Sequence, residues 1–404
     1  MTYPSFESPA GRRQRPDRTA RATLTRSSYL IVLPWEPHHA GGVSGVVKGL
    51  ANAMARQGAL RPLIFANSWA AKSPCRSEHC TAFRFSLFAT ASIVGLFKGC
   101  IRAPSQLWRL FRLLRATNAS AVNFHYPGLA PVGVAILKRI GAFDGKLLLS
   151  YHGSDVEVPR GRIERALLAF VHRSADHVVA CSNSLAARIA DEFGIAPTRI
   201  SVIYNGVDPS LFDGTANAPL PMALPRSFVV SISSFIPRKN LSLLVEAFAL
   251  LAPRFPDLHV CIAGGDGPER SRIALDLRSR GLADRVLLFV DLDQAQVATL
   301  LARAKACVQT SRAESFPLAL IEAGASGTPL VVSRIPGHDE LVRDGVTGLT
   351  FPLGDPGACA RAVAAVLEDP QRAADMAAAQ RRWVRDTLTW SHTMRQYLRL
   401  VGVA

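Results

Sequence analysis

A chain of 404 residues that is 49% hydrophobic and 19% charged is long enough for two globular domains and too apolar to be a disordered chain. Its net charge of +16 calls for an anionic partner, and with no nucleic-acid motif and only 7% aromatic residues, a membrane surface or an anionic acceptor fits better than nucleic acid. The longest apolar stretch, residues 87–97, is shorter than the ~20 residues of a membrane-spanning helix.

The charge is uneven. Residues 1–213 hold 26 Lys and Arg against 13 Asp and Glu, a balance of +13, whereas the remainder hold 21 against 18, a balance of +3. Seven cysteines are scattered, an odd number without a pairing framework, which predicts reduced thiols and a cytoplasmic setting. Cys75, His79 and Cys80 lack the second pair that a zinc site requires, so a solvated loop is expected there.

Residues 1–27 are rich in Arg, Ser and Thr with no apolar core behind them, so they read as a disordered basic tail and not as a secretory signal. The apolar run 28–35 predicts a buried strand. A loop with Gly41 and Gly42 follows, then a helix over 43–57 with Val46, Val47, Leu50 and Met54 on one face. Strand, glycine turn and helix open a doubly wound unit whose loop faces the ligand crevice. Residues 61–66 form a second strand. The segment 83–115 mixes apolar side chains with Lys98, Arg102, Arg109, Arg112 and Arg115, and Leu107, Phe111 and Leu114 share a helix face. Such a helix either covers the sheet or lies on anionic lipid.

Strands at 121–125, 146–152, 176–181 and 200–204, with helices at 162–172 and after an N-capping Ser182, continue the alternation. The four prolines between 208 and 227 mark a linker. Beyond it, strands at 228–233, 258–263, 285–290, 307–310 and 329–333 alternate with helices at 241–251, 270–280 and 294–304. The expected organisation is therefore a tail (1–27), a Rossmann-like domain (28–207), the linker (208–227) and a second Rossmann-like domain (228–387). A helix over about 388–404 packs back on the first domain.

The most informative stretch is T-S-R-A-E-S-F-P-L-A-L-I-E-A-G-A-S-G over 310–327. Proline suits a first helical turn, so Pro317 places Glu314 just before a helix N-terminus and Glu322 about one and a half turns inside. Carboxylates eight residues apart grip opposite ends of a long ligand, with helix-terminal N–H groups facing an anion between them. Arg238 and Lys239 end a small-residue loop at 233–240, a fork and a mobile point charge suited to a diphosphate or, alone, a solvated turn. The glycine loop at 263–269 is half of a dinucleotide fingerprint and on that ground alone weak evidence. His38, His39 and His125 fall in first-domain loops where they would line an acceptor pocket. Asp291-Leu-Asp293 has the look of a metal motif, but Asp293 precedes a helix and reads as an N-cap.

Together these pieces resemble the retaining GT-B glycosyltransferases of family 4, the glycosyl transferases group 1. The E-x7-E element matches Glu314 to Glu322, alongside Gly41-Gly42, His152-Gly-Ser-Asp, Asn205-Gly-Val-Asp, Gly264-Gly-Asp-Gly-Pro-Glu, and Pro336-Gly-His-Asp-Glu. The resemblance implies two Rossmann-like domains facing a cleft, and transfer of a hexose from a UDP- or GDP-sugar to a glycan or lipid-linked acceptor in surface polysaccharide synthesis. No metal or other cofactor is expected, and the location is cytoplasmic, peripheral on the inner face of the plasma membrane. It implies that Glu322 holds ribose hydroxyls and Glu314 the donor sugar. Gly42, Ser315, Phe316, Pro317 and Leu318 meet the donor, Lys239 neutralises the leaving diphosphate, and His152 lies beside the reacting sugar.

One departure stands out: the family's usual arginine early in the Lys239 loop is Ser234 here, and Arg238 is the candidate to replace it. The loss leaves room for a catalytically weak, nucleotide-sugar-binding partner protein as the alternative. An NAD-dependent oxidoreductase, resting on the Gly264 loop, leaves the Glu314/Glu322 pair unexplained.

Overall fold

The computed structural model describes residues 27–35, 41–67, 80–87 and 93–403, and of 93–98 the backbone only. Its strands form two sheets. The first runs β3-β2-β1-β4-β5-β6-β7 and comprises β1 (Ser28–Leu33), β2 (Arg61–Asn67), β3 (Cys80–Phe83), β4 (Ala119–His125), β5 (Lys146–Tyr151), β6 (His177–Ala180) and β7 (Ile200–Val202). The second runs β10-β9-β8-β11-β12-β13 and comprises β8 (Ser227–Ile232), β9 (Leu258–Gly264), β10 (Val286–Val290), β11 (Cys307–Gln309), β12 (Leu330–Ser333) and β13 (Leu349–Phe351).

Neighbouring strands pair in parallel, as at Ile31 opposite both Ile64 and Asn123, and Val230 opposite Cys261. Parallel pairs need crossovers, and helices supply them. In the first half these are α1 (Gly42–Gln57), α2 (Ile93–Ala116), α3 (Val132–Arg139), α4 (Arg162–Ser174) and α5 (Asn183–Phe193). In the second half they are α6 (Leu241–Leu251), α7 (Glu269–Ser279), α8 (Gln294–Arg303), α9 (Leu318–Ser326) and the short α10 (Pro336–Asp339), and α11 (Pro356–Glu368) and α12 (Pro370–Thr387) follow the last strand. With helices covering both faces, a central strand is apolar throughout: every residue of β1 is buried.

The last helix, α13 (Trp390–Leu400), lies on the first sheet's side although the chain reaches it from the second. Met394, Tyr397 and Leu398 share a buried cluster with Tyr29, Ile31, Val47 and Leu50. Gly49 of α1 permits this contact, since a Cβ there would come within 2.1 Å of the Trp390 ring.

Three local expectations change. Strands β3 and β13, helices α3, α10 and α11 and most of α12 were not anticipated, and Cys80 opens β3 as a buried residue instead of sitting in a solvated loop. On α2 the buried line is Gln106, Leu110 and Leu114, with Leu107 and Phe111 half-buried beside it. The line is set by α3, where Gly133 lets Leu110 approach to 3.0 Å of where a Cβ would stand. Residues 1–26, Cys75 and His79 lie outside the described residues.

In both sheets the strand order reverses beside the first strand, between β1 and β4 and between β8 and β11. Crevices in such sheets open at the carboxyl ends of the strands at that reversal. The loops after β1, β5, β8, β9, β10 and β11 all line one cleft of ≈ 1740 Å³.

Candidate active site

The loop after β11 is tied down from several sides. Thr310 Oγ1 donates to the carbonyls of Lys239 and Asn240 at 3.0 Å each, and Ser333 Oγ donates to the Ser311 carbonyl at 2.7 Å. Gly337 lets the backbone of α10 press on the same loop, because a Cβ there would stand 2.1 Å from the Glu314 carbonyl oxygen. Glu314 is therefore held, and its carboxylate meets Lys239 Nζ at 2.6 Å with its side chain 8% exposed. Burial pulls this carboxyl upward, but Lys239, then Arg238 and His338, outweigh burial and hold it below the usual carboxylate value.

Pro317 is the N-cap of α9 and not part of its first turn: its ψ of 124° is extended, so the helix starts at Leu318. The N–H groups that open a helix have no carbonyl partner within it, and Leu318 and Ala319 line the cleft. One turn in, Glu322 also lines the cleft; burial pushes its carboxyl up to about 7. The two glutamates thus differ in kind, one paired with a cation and one with no ion pair among the described residues.

Lys239 and Arg238 lie on a 3-10 turn (Pro237–Lys239) ended by Asn240 at φ 53°, a left-handed conformation that asparagine tolerates. Arg238 lines the cleft, with its buried Nε lacking a hydrogen-bond partner among the described residues. Ser234 lines it too. The glycines at 264 and 267 have a packing reason: a Cβ on either would come within 2.3 Å of the Ser233 or Phe235 carbonyl oxygen. Asp293 is the N-cap of α8, in a capping box with Gln296.

Across the cleft, Asp155 shapes the turn that carries His152. Its carboxylate accepts the backbone N–H of Gly153 at 2.7 Å and of His152 at 3.1 Å, although burial lifts its carboxyl to about 6. Gly153 has φ +124°, and a Cβ there would come within 2.0 Å of Ser315 Oγ; at this point the two walls meet. Gly41 and Gly42 precede and open α1, line the cleft, and have no atom of the described residues within 4 Å of an added Cβ.

The structure gathers Gly42, His152, Arg238, Lys239, Glu314, Ser315, Phe316, Pro317, Leu318 and Glu322 around this one cleft. His125 is different, and the expectation of an acceptor-pocket loop is corrected. It is the last residue of β4, 1% exposed, behind His152 with the two rings stacked 5.2 Å apart. His38 and His39 lie outside the described residues. Burial lowers both His125 and His152, the latter to about 4, so both are neutral near pH 7.

Sequence reasoning missed the groups that join the walls. Asn205 donates to the Phe316 carbonyl at 3.1 Å, and Tyr204 stacks on the Phe316 ring at 4.6 Å. Glu340, at the end of α10, accepts the backbone N–H of Asn183 at 2.8 Å and of Ser184 at 2.7 Å, so it caps α5 from the other domain. Asn205 and Glu340 stand in the motifs Asn-Gly-Val-Asp and Pro-Gly-His-Asp-Glu, but nothing local signals a cross-cleft partner. Trp390 and Arg395 of α13 also line the cleft, and only the fold brings them there.

Two doubly wound domains facing each other across such a cleft define the GT-B architecture. A family model described as Glycosyl transferases group 1 matches residues 218–383, and one described as Glycosyltransferase Family 4 matches residues 40–211. The GDP-mannose-dependent alpha-(1-6)-phosphatidylinositol monomannoside mannosyltransferase of Mycolicibacterium smegmatis is 30% identical over 304 residues, 71% of this chain and 77% of that protein. The chain belongs to the group 1 glycosyltransferases. A glycogen synthase of Mycobacterium tuberculosis is 29% identical over 255 residues, and the match spans 61% of each chain. Among solved structures, Anabaena HepE in complex with UDP and glucose superimposes with a TM-score of 0.72 at 18% identity, over 93% of this chain and 100% of that one. Among the described residues no helix is long and apolar enough to cross a membrane.

Proposed function

We propose that the protein transfers a hexose from a UDP- or GDP-sugar to a glycan or lipid-linked acceptor, with retention of anomeric configuration and no metal ion. The observation that carries the reading is the Lys239–Glu314 pair at 2.6 Å beside the N-terminus of α9, with Glu322 one turn deeper. Ribose hydroxyls are held by Glu322 and the diphosphate by Lys239, Arg238 and the N–H groups of Leu318 and Ala319. The sugar then lies at the meeting of the walls, between Glu314 and His152. The UDP and glucose of the Anabaena structure and the GDP-mannose in the name of the mycobacterial relative support a nucleotide-sugar donor.

In the step itself the bond from the sugar's anomeric carbon to the diphosphate breaks, and its electron pair leaves on the phosphate oxygen. The acceptor oxygen bonds the same carbon from the same face, and its proton passes to the departing phosphate. Positive charge already aimed at a leaving group is worth about 3–4 kcal/mol per donor lost in comparable sites. Lys239 supplies it and Arg238 adds to it where Ser234 replaces the family's arginine. A metal ion has no charge left to neutralise in this scheme.

The exposed face of α2 supports a membrane-proximal acceptor of surface polysaccharide assembly at the inner leaflet. Trp108 and Ile101 are 60% and 67% exposed there, among exposed Arg102, Arg109, Arg112 and Arg115. The test is to incubate the protein with a panel of UDP- and GDP-hexoses and follow nucleotide release. Slow release that disappears in Glu314→Ala is expected; a protein that neither binds nor cleaves any of them is not this enzyme, and one that binds without release is a binding partner.

A further inference from the structure

Behind His152 runs a line of buried polar groups with a direction. Tyr397 of α13, Ser150 of β5, and Asn123 and His125 of β4 are each 3% exposed or less. Ser150 Oγ lies 2.8 Å from Asn123 Oδ1, and a carbonyl oxygen only accepts, so the serine hydroxyl is the donor. With its one proton spent, Ser150 accepts from the Tyr397 hydroxyl at 3.0 Å. Asn123 turns its Nδ2 to His125 Nε2 at 3.0 Å, which must then accept. A neutral imidazole that accepts at one nitrogen carries its proton on the other, so His125 Nδ1 donates to His152 Nε2 at 2.9 Å.

The same rule applies once more at His152. Its Nε2 accepts, so the proton is on Nδ1, and this nitrogen has no partner among the described residues. We propose that the chain Ser150–Asn123–His125, bordered at its far end by the Tyr397 hydroxyl, is a positioning relay that fixes His152 as the Nδ1–H tautomer, presenting an N–H donor and not a lone pair to the transferred sugar. The burial that keeps both imidazoles neutral agrees with this, since a protonated His125 or His152 would have no acceptor to pair with in this line. The tautomer follows from the orientation of the Asn123 amide, Oδ1 to Ser150 and Nδ2 to His125; its contact with a sugar rests on the glycosyl-transfer reading.

The experiment is two-bond nitrogen–proton NMR of imidazole-labelled protein, with His152 assigned by subtraction of the His152→Gln spectrum. The wild type is expected to show His152 protonated at Nδ1. Asn123→Asp keeps the shape but, ionised, cannot donate, so a His125 that stays neutral donates to it from Nε2 and accepts at Nδ1. His152 then shifts to the Nε2–H form, with kcat for nucleotide release falling about tenfold and affinity for free UDP or GDP unchanged. Tyr397→Phe leaves Ser150 donating to Asn123 and keeps the wild-type tautomer.

A wild-type His152 protonated at Nε2 overturns the relay, whether or not the variant folds, and so does an Asn123→Asp protein in which His125 is neutral with its proton on Nε2 while His152 stays at Nδ1. A switched tautomer with undiminished kcat overturns the sugar contact. A wild type with the Nδ1–H form that binds and cleaves no nucleotide sugar refutes the glycosyl-transfer reading and leaves the relay standing.

Discussion

The two walls of the cleft are built on the same doubly wound plan and carry opposite chemistry where they meet. From the second domain come Lys239, Glu314, Arg238 and Glu322, charged or near their titration point. From the first come His152, backed by a second neutral histidine, and glycines that leave space. Bulk charge points the other way, since the first half carries the larger positive balance, and Arg102, Arg109, Arg112 and Arg115 of it stand on the outer face of α2. On the proposed reading, net charge marks where a large anionic partner would meet the protein, whereas a half-buried lysine beside a helix N-terminus marks where a bond would break.

The contrast is broken most severely at Lys239. Lys239→Ala removes the leaving-group charge and strands Glu314 in a buried site. Nucleotide release should fall about 10³-fold in steady-state kinetics. A comparable loss from His152→Ala instead would place the electrostatic work on the wrong wall.

Glu322 sharpens the same point through pH. As the acceptor of two ribose hydroxyls it works best ionised, so affinity for UDP or GDP, measured by calorimetry, should strengthen as pH rises through about 7, the value to which burial pushes it. Glu322→Gln should lose about tenfold in affinity, roughly 1.4 kcal/mol, and lose the pH dependence. Stability has the opposite sign. A carboxyl raised in the folded state contributes its full stability below its unfolded value, near 4.5, and loses it as pH rises through about 7. Glu322→Gln should thus melt some 2–4 °C higher than the wild type at pH 8.5, an advantage that fades by pH 5.

Smaller effects test how the walls are held together. Glu340→Ala removes the carboxylate that caps α5 from across the cleft, at a cost of about 1 kcal/mol. A lower melting temperature and a wider particle in small-angle scattering are expected, while unchanged scattering would mean that the cap does not hold the walls. Least affected in turnover, and most in location, is α2. Replacing Arg109, Arg112 and Arg115 by Gln should abolish co-sedimentation with anionic liposomes at low salt while changing nucleotide release less than about twofold. Binding that survives would remove the membrane from the account.

Much of this was legible in the residues. The alternation of apolar runs and amphipathic helices was readable because parallel strands buried on both faces leave continuous Val, Ile and Leu, as in β1, β8 and β12. The Glu314–Glu322 spacing and the Arg238-Lys239 turn were legible because their chemistry is local to a loop and a helix start. Strand β3 was not, since its four residues, C-T-A-F, carry too little pattern to stand out. The Lys239–Glu314 pair joins residues 75 apart in sequence, and Glu340 reaches 157 residues back to Asn183; no periodicity encodes either. His125 was misplaced for a related reason. A histidine ending a strand looks the same in sequence whether it faces a pocket or stands behind the residue that does, and only the 2.9 Å contact with His152 decides.

The most direct test of the central claim is a crystal structure with UDP or GDP bound, chosen by whichever binds more tightly. The account predicts ribose hydroxyls on Glu322 and the diphosphate between Lys239, Arg238 and the N–H groups of Leu318 and Ala319, with the first-domain wall free at that end. A nucleotide seated on the first-domain wall, or phosphates away from Lys239, would contradict it.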